Sequence, residues 1–239
     1  MADKTAASFQ RGPSGLTIAA AGLIAAILLL LLFATYGPFL LISADSQVRI
    51  VSGYLVFWVP LIVATVWWAR THPLAWREMV RFRALDLLWG LVVGLLARAL
   101  ASVIEWLAYG GVGAGGGLVM LDAGQPNPVM VAVTVVIAPV ILAPVIEELF
   151  FRGVLLTSLR AGSTGRGAAA VAIVASAVIF ALVHLLQVTS FSAVVAIGAS
   201  TLVLGLATGI LAVTTGRLGG AIVAHIIFNG VVLLPALIG

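Results

Sequence analysis

The chain has 239 residues, of which 63% are hydrophobic and only 8% charged. Globular soluble domains carry roughly a quarter charged residues, so these values exclude a water-soluble fold and point to an all-α, polytopic transmembrane bundle. The formal net charge of +4 is no nucleic-acid signal, because the bases lie in short segments between apolar runs, and the absence of cysteine excludes disulfides, thiolate metal sites and a cysteine nucleophile.

Along the chain, residues 1–15 are polar, carry Lys4 and Arg11, and read as a cytoplasmic N-terminal segment ahead of a single transmembrane domain over 16–238. The apolar run 16–42 is too long for the core of a cleaved signal and reads as a retained first span. Further spans are predicted at 50–69, 85–109, 128–150, 167–186, 190–213 and 218–238, making seven; an eighth requires splitting one run. Segment 70–84, with four arginines and two aromatics, suits a surface helix, and the Gly-rich 110–127 suits a loop. The run from Pro128 to Leu159 amounts to about 48 Å of helix, more than one upright crossing needs. It is expected to tilt, to kink near Pro139 and Pro144, or to turn along the inner surface after Arg152.

Charge supports this layout. With the N-terminus inside, the inner segments hold Lys4, Arg11, Arg70, Arg77, Arg81, Arg83, Arg160, Arg166 and Arg217, and the outer loops only Arg49. That asymmetry is the positive-inside pattern.

Apolar sequence holds Arg98, Glu105, Glu147, Glu148, Arg152, His184 and His225. Each costs about 2.5–3.5 kcal/mol at mid-bilayer on insertion scales, so such residues face a protein interior or a wet cavity and by default mark function. In Ala143–Gly153 (APVIEELFFRG), Glu148 and Arg152 stand four apart and can pair on one face. Glu147 lies about 100° away, out of easy reach of Arg152. One carboxylate is thereby neutralised and its neighbour left free, which suits a general base. A structural ion pair beside a loop-facing glutamate is the plainer alternative. Phe180 and His184, and likewise His225 and Asn229, stack at i, i+4 spacing. A lone membrane histidine is often only a packing residue. Glu147 with two imidazoles and a carboxamide could nonetheless polarise a water and hold an oxyanion, with Phe180 as a wall of the pocket. Arg98 and Glu105, two turns apart, read as a buried structural pair or as partners for Glu148 and Arg152. Gly198, Gly205, Ala207 and Gly209 fit close helix packing.

The order EExxxR, FxxxH and HxxxN on successive apolar helices resembles the CPBP family, which groups CAAX prenyl proteases of the Ras-converting type with Abi and bacteriocin-processing or immunity proteins. The similarity covers about 125–235. It implies an intramembrane endopeptidase in which Glu147 and His184 activate water and His225 and Asn229 stabilise the oxyanion. Glu148 and Arg152 support the site. No cofactor follows with certainty. The helical zinc signature HExxH is absent, yet Glu147, His184 and His225 form a legitimate zinc set, so glutamate-protease and metalloprotease readings both stand. The expected partners are a membrane-associated peptide or protein and the lipid bilayer, with no nucleic acid. The Ala-, Gly- and Arg-rich composition points to a bacterial plasma membrane. A non-catalytic peptide-binding or immunity protein is the alternative, and a proton-coupled transporter a weaker one. One conflict remains at this level. Counted from the inner end, His225 lies about eight residues past Arg217 but His184 about eighteen past Arg166, a depth mismatch of about 15 Å for upright helices.

Overall fold

A computed structural model describes residues 14–110, 129, 132–162, 165, 167–186 and 188–234. Among them the chain is helical and has no strand: α1 (Gly15–Leu40), α2 (Ser46–Thr71), α3 (Pro73–Met79), α4 (Ala84–Tyr109), α5 (Ala132–Ala161), α6 (Ala168–His184), α7 (Phe191–Thr215) and α8 (Gly219–Leu233). Helix starts and stops follow local chemistry. Ser14 and Ser190 cap α1 and α7 by accepting the amides of Thr17 and Ala193, and the Asp86 carboxylate accepts the Arg83 amide at 2.8 Å ahead of α4. Gly110 and Gly216 end α4 and α7 at φ +74° and +66°, where a side chain would strain the backbone.

Helices α1, α2, α4, α5 and α7 are long and apolar enough to cross a bilayer. The fifth and seventh predicted spans come out shorter. Helix α6 has 17 residues and stops at His184, and α8 has 15 described residues, about 22 Å of helix. Helix α3 lies where the surface helix is predicted and buries none of its residues. The predicted loop 110–127 falls almost wholly outside the described residues, as does most of the N-terminal segment. Helix α5 is a single continuous helix past Arg152, so the predicted inward turn is not made. Its backbone is π-helical over Ala132–Leu142 and Leu149–Leu156, on either side of an α-helical Ala143–Glu148.

Large apolar side chains project outward from α1, α2 and α4, among them Leu28, Leu32, Val63, Leu88, Leu96 and Trp106. On a protein in water such a surface would drive aggregation; in a bilayer it is the solvated face. The interior is aromatic and small. Phe150, Phe151 and Phe180 are fully buried and pack edge to face. Helix α4 runs along α8, α6 along α7, and α1 along α2. Close approach depends on small residues. A Cβ built on Gly94 would lie 2.6 Å from the Ala224 carbonyl oxygen, and one on Gly205 3.0 Å from the Ala177 Cα.

Buried ion pairs tie the helices together. Asp86, on α4, holds Arg217 in the α7–α8 turn at 2.7 Å. On α4, Arg98 binds Glu105 at 2.6 Å and lies over the Phe228 ring. Of the two pairings predicted for Arg98 and Glu105, the self-contained one is therefore formed.

Candidate active site

Helices α5, α6 and α8 meet inside the bundle around Glu147. This residue is buried, and its Oε2 stands 3.9 Å from Nε2 of His184 and 4.0 Å from Nε2 of His225. Glu147 and both histidines line a cavity of about 720 Å³. The cavity is otherwise mostly apolar, and its polar lining includes Tyr54, Thr201 and Asn229.

The rings are oriented by what their other nitrogens touch. Nδ1 of His184 donates to the Phe180 carbonyl at 2.8 Å, which leaves Nε2 as an acceptor facing Glu147. Nδ1 of His225 donates to Glu148 Oε1 at 2.9 Å. The same Glu148 oxygen pairs with Arg152 at 3.0 Å, and both side chains are fully buried. Arg152 also donates to the Gly205 carbonyl at 3.3 Å and lies 4.5 Å above the Phe180 ring. The predicted Glu148–Arg152 pair is present, and Glu148 serves in addition as the anchor of His225. Local spacing could not show that contact, because it joins residues 77 apart.

Phe180 sits elsewhere than predicted. It is fully buried behind the two imidazoles, 4.4 Å from His184 and 5.8 Å from His225 between ring centroids, and is not among the residues that line the cavity. Its i, i+4 relation to His184 places it one turn back along α6, so it backs the rings instead of walling the space.

Asn229 does line the cavity. Its Nδ2 donates to the Pro139 carbonyl at 2.8 Å, and the second hydrogen of the amide stays uncommitted in that bond.

The depth conflict has a structural resolution. A Cβ built on Gly153 would lie 3.2 Å from Leu218 and 3.6 Å from Trp76, so the α7–α8 turn lies level with Gly153 and not with the end of α5. Beyond Gly153, α5 continues eight residues to Ala161, about 12 Å, before α6 begins. The α5–α6 hairpin therefore extends past the start of α8, and α6 needs the longer climb to reach the same level.

Helix α2 contributes residues that carry no recognisable motif. Trp58 shares the cavity lining with Glu147. It stacks on Tyr54, one turn away, at 4.8 Å, and both line the cavity. Their i, i+4 aromatic spacing is a visible signal, but aromatic residues in membrane helices ordinarily read as interfacial anchors.

The spacing of the donors bears on a metal. Zinc ligands at 2.0–2.1 Å in a tetrahedron stand about 3.3 Å apart. The 3.9 and 4.0 Å separations are wider, and no group of three such residues close enough to hold a metal occurs among the described residues. Two acceptors sharing one water at about 2.8 Å each stand about 4.5 Å apart. The donor types suit zinc, and the observed spacing falls between that of zinc ligands and that of acceptors sharing one water.

Compared with known proteins, residues 128–231 match the family model described as Type II CAAX prenyl endopeptidase Rce1-like. That segment contains Glu147, His184, His225 and Asn229. No curated protein and no solved structure matches the chain.

Proposed function

We propose, on the premise that residues 128–231 form a domain of the CPBP family of CAAX-type proteases, that this protein is an intramembrane endopeptidase in which Glu147 and His184 activate a water. The observation that supports this reading is the placement of Glu147 Oε2 within 4.0 Å of two imidazole Nε2 atoms inside one cavity.

In this mechanism a water donates its hydrogens to Glu147 Oε2 and His184 Nε2, which turns its lone pairs toward an incoming carbonyl carbon. As the C–O bond forms, the proton passes to Glu147, which delivers it to the amide nitrogen as the C–N bond breaks and the C=O re-forms. The carbonyl oxygen becomes an oxyanion. The free N–H of Asn229 is a suitable donor to it, and so is Nε2 of His225 when that ring is doubly protonated, with Glu148 balancing the charge. Because the surroundings are apolar, each of these interactions acts in a low dielectric.

The substrate is a membrane-associated peptide or protein, reached within the bilayer. The chain crosses the membrane seven times with its N-terminus in the cytoplasm, α6 and α8 crossing with the help of their flanking residues. The test is cleavage of a quenched reporter peptide by purified protein in nanodiscs. Glu147→Ala and His184→Ala are each expected to lower kcat by 10³-fold or more with an unchanged thermal transition; full turnover by either variant rejects the mechanism.

A further inference from the structure

The proposed chemistry accounts for the floor of the cavity and leaves its mouth unexplained. Apart from Glu147 and the two histidines, the cavity lining holds one charged side chain, Arg49, in the first turn of α2. Arg49 is half-buried. Its Nη1 donates to the carbonyls of Ala44 at 2.5 Å and Leu41 at 3.5 Å, in the turn that joins α1 to α2. These bonds fix the guanidinium before any ligand arrives. Among the described residues, Arg98, Arg152 and Arg217 each pair with a carboxylate, whereas Arg49 forms no ion pair. Its Nε and Nη2 make no hydrogen bond among them either. A held guanidinium with uncommitted donors, at the edge of an apolar cavity, matches the geometry of carboxylate and phosphate recognition.

Arg49 lies nine residues before Trp58, which lines the cavity together with Glu147, so Arg49 and Trp58 stand about 14 Å apart along α2. An anion bound there does not reach the water. It anchors a chain whose reacting bond lies further in, which is the role of remote binding groups in orienting a substrate. The cavity is lined by the N-terminal part of α2, the C-terminal end of α6 and the half of α5 before Arg152. Arg70, Arg77, Arg81, Arg83, Arg160 and Arg217 all lie at the opposite end of the bundle. By the positive-inside rule, the mouth faces away from the cytoplasm.

We infer that Arg49 is an anion-binding subsite at the arginine-poor mouth of the cavity, receiving a carboxylate or phosphate oxygen that enters from the extracytoplasmic side. The hydrolase reading identifies the ligand as substrate, so the test reads binding and not turnover. The full chain carrying Glu147→Gln is placed in phosphatidylcholine nanodiscs and titrated with a fluorescent apolar octapeptide, with either a free C-terminal carboxylate or a C-terminal amide. The free acid is expected to bind at least tenfold more tightly, the ratio falling below twofold in Arg49→Gln and surviving in Arg49→Lys. If the anion is instead a lipid phosphate, the acid and amide bind alike, while phosphatidylglycerol binds the cavity and Arg49→Gln abolishes that binding. Unchanged acid-to-amide ratio and lipid binding in Arg49→Gln overturns the subsite. So does an equal loss for both peptides in the Gln and Lys variants, which would mark Arg49 as a turn clamp. A chain that shows the Arg49-dependent preference but never cleaves its reporter keeps the subsite and loses the protease.

Discussion

Two adjacent glutamates have separate duties. Glu147 faces the cavity and the Nε2 atoms of both histidines, while Glu148 faces inward and holds Arg152 and His225. Removing Glu148 leaves Arg152 with an uncompensated buried charge, a loss on the order of 3–5 kcal/mol for pairs of this kind. It also frees the His225 ring, and losing the group that orients a functional histidine typically costs 10- to 100-fold. Glu148→Gln is therefore expected to lower both the thermal transition and kcat, unlike Glu147→Gln, which removes activity alone; differential scanning fluorimetry beside the reporter assay separates them. A variant at 148 that loses neither stability nor rate contradicts the assigned contacts. Chelation is informative at the same scale. Dialysis against a strong zinc chelator is expected to leave turnover within twofold, with metal below one-tenth equivalent by mass spectrometry. Activity that disappears and returns with added zinc would instead select the metalloprotease form.

At the scale of helices, the site depends on how closely α4 approaches α8. A Cβ at Gly94 would meet the backbone of Ala224, which cannot give way as a flexible side chain does. Gly94→Val is expected to force the helices apart at a cost of about 1–3 kcal/mol and to lower activity in step, because His225 follows Ala224 directly. Gly198 offers the contrast. Its added Cβ meets only the tip of Leu185, so Gly198→Ala should be nearly silent in the same melting and cleavage assays. The elements themselves were largely legible as apolar runs, and so were the chemical positions on α5, α6 and α8, because i, i+4 spacing is local information. The ends of the helices were less so. Helix α6 stops where the His184 ring bonds back to its own helix, and α5 stays helical through Arg152, whose guanidinium pairs with Glu148 and donates to the Gly205 carbonyl. The second is a tertiary fact, because Gly205 lies on α7. The contribution of α2 was hidden for the same reason, since Arg49, Tyr54 and Trp58 acquire meaning only once α5 stands beside them.

For the whole molecule, the lack of cysteine makes topology directly measurable. A single cysteine at Ser46, beside the cavity mouth, is expected to react with an impermeant maleimide on intact cells. One at Arg160, on the far end of α5, is expected to react only after permeabilisation. The reverse pattern inverts the bundle and places the mouth in the cytoplasm. Distribution of the arginines predicted this polarity, but nothing in the spacing of residues said that the cavity would open at the arginine-poor end. That came from the lining of the cavity, which reaches Ser46 and Arg49 at the start of α2.

Oε1 of Glu148 is one atom with two dependants, a cation that holds α5 against α7 and an imidazole on α8. Changes at 148, 152 and 225 are consequently not independent, and a lineage or a designer altering one must find a compatible state of the other two. Remodelling should therefore be freer on the α2 wall, where Arg49 and Tyr54 can vary without loosening the frame that keeps the two imidazoles aimed at Glu147.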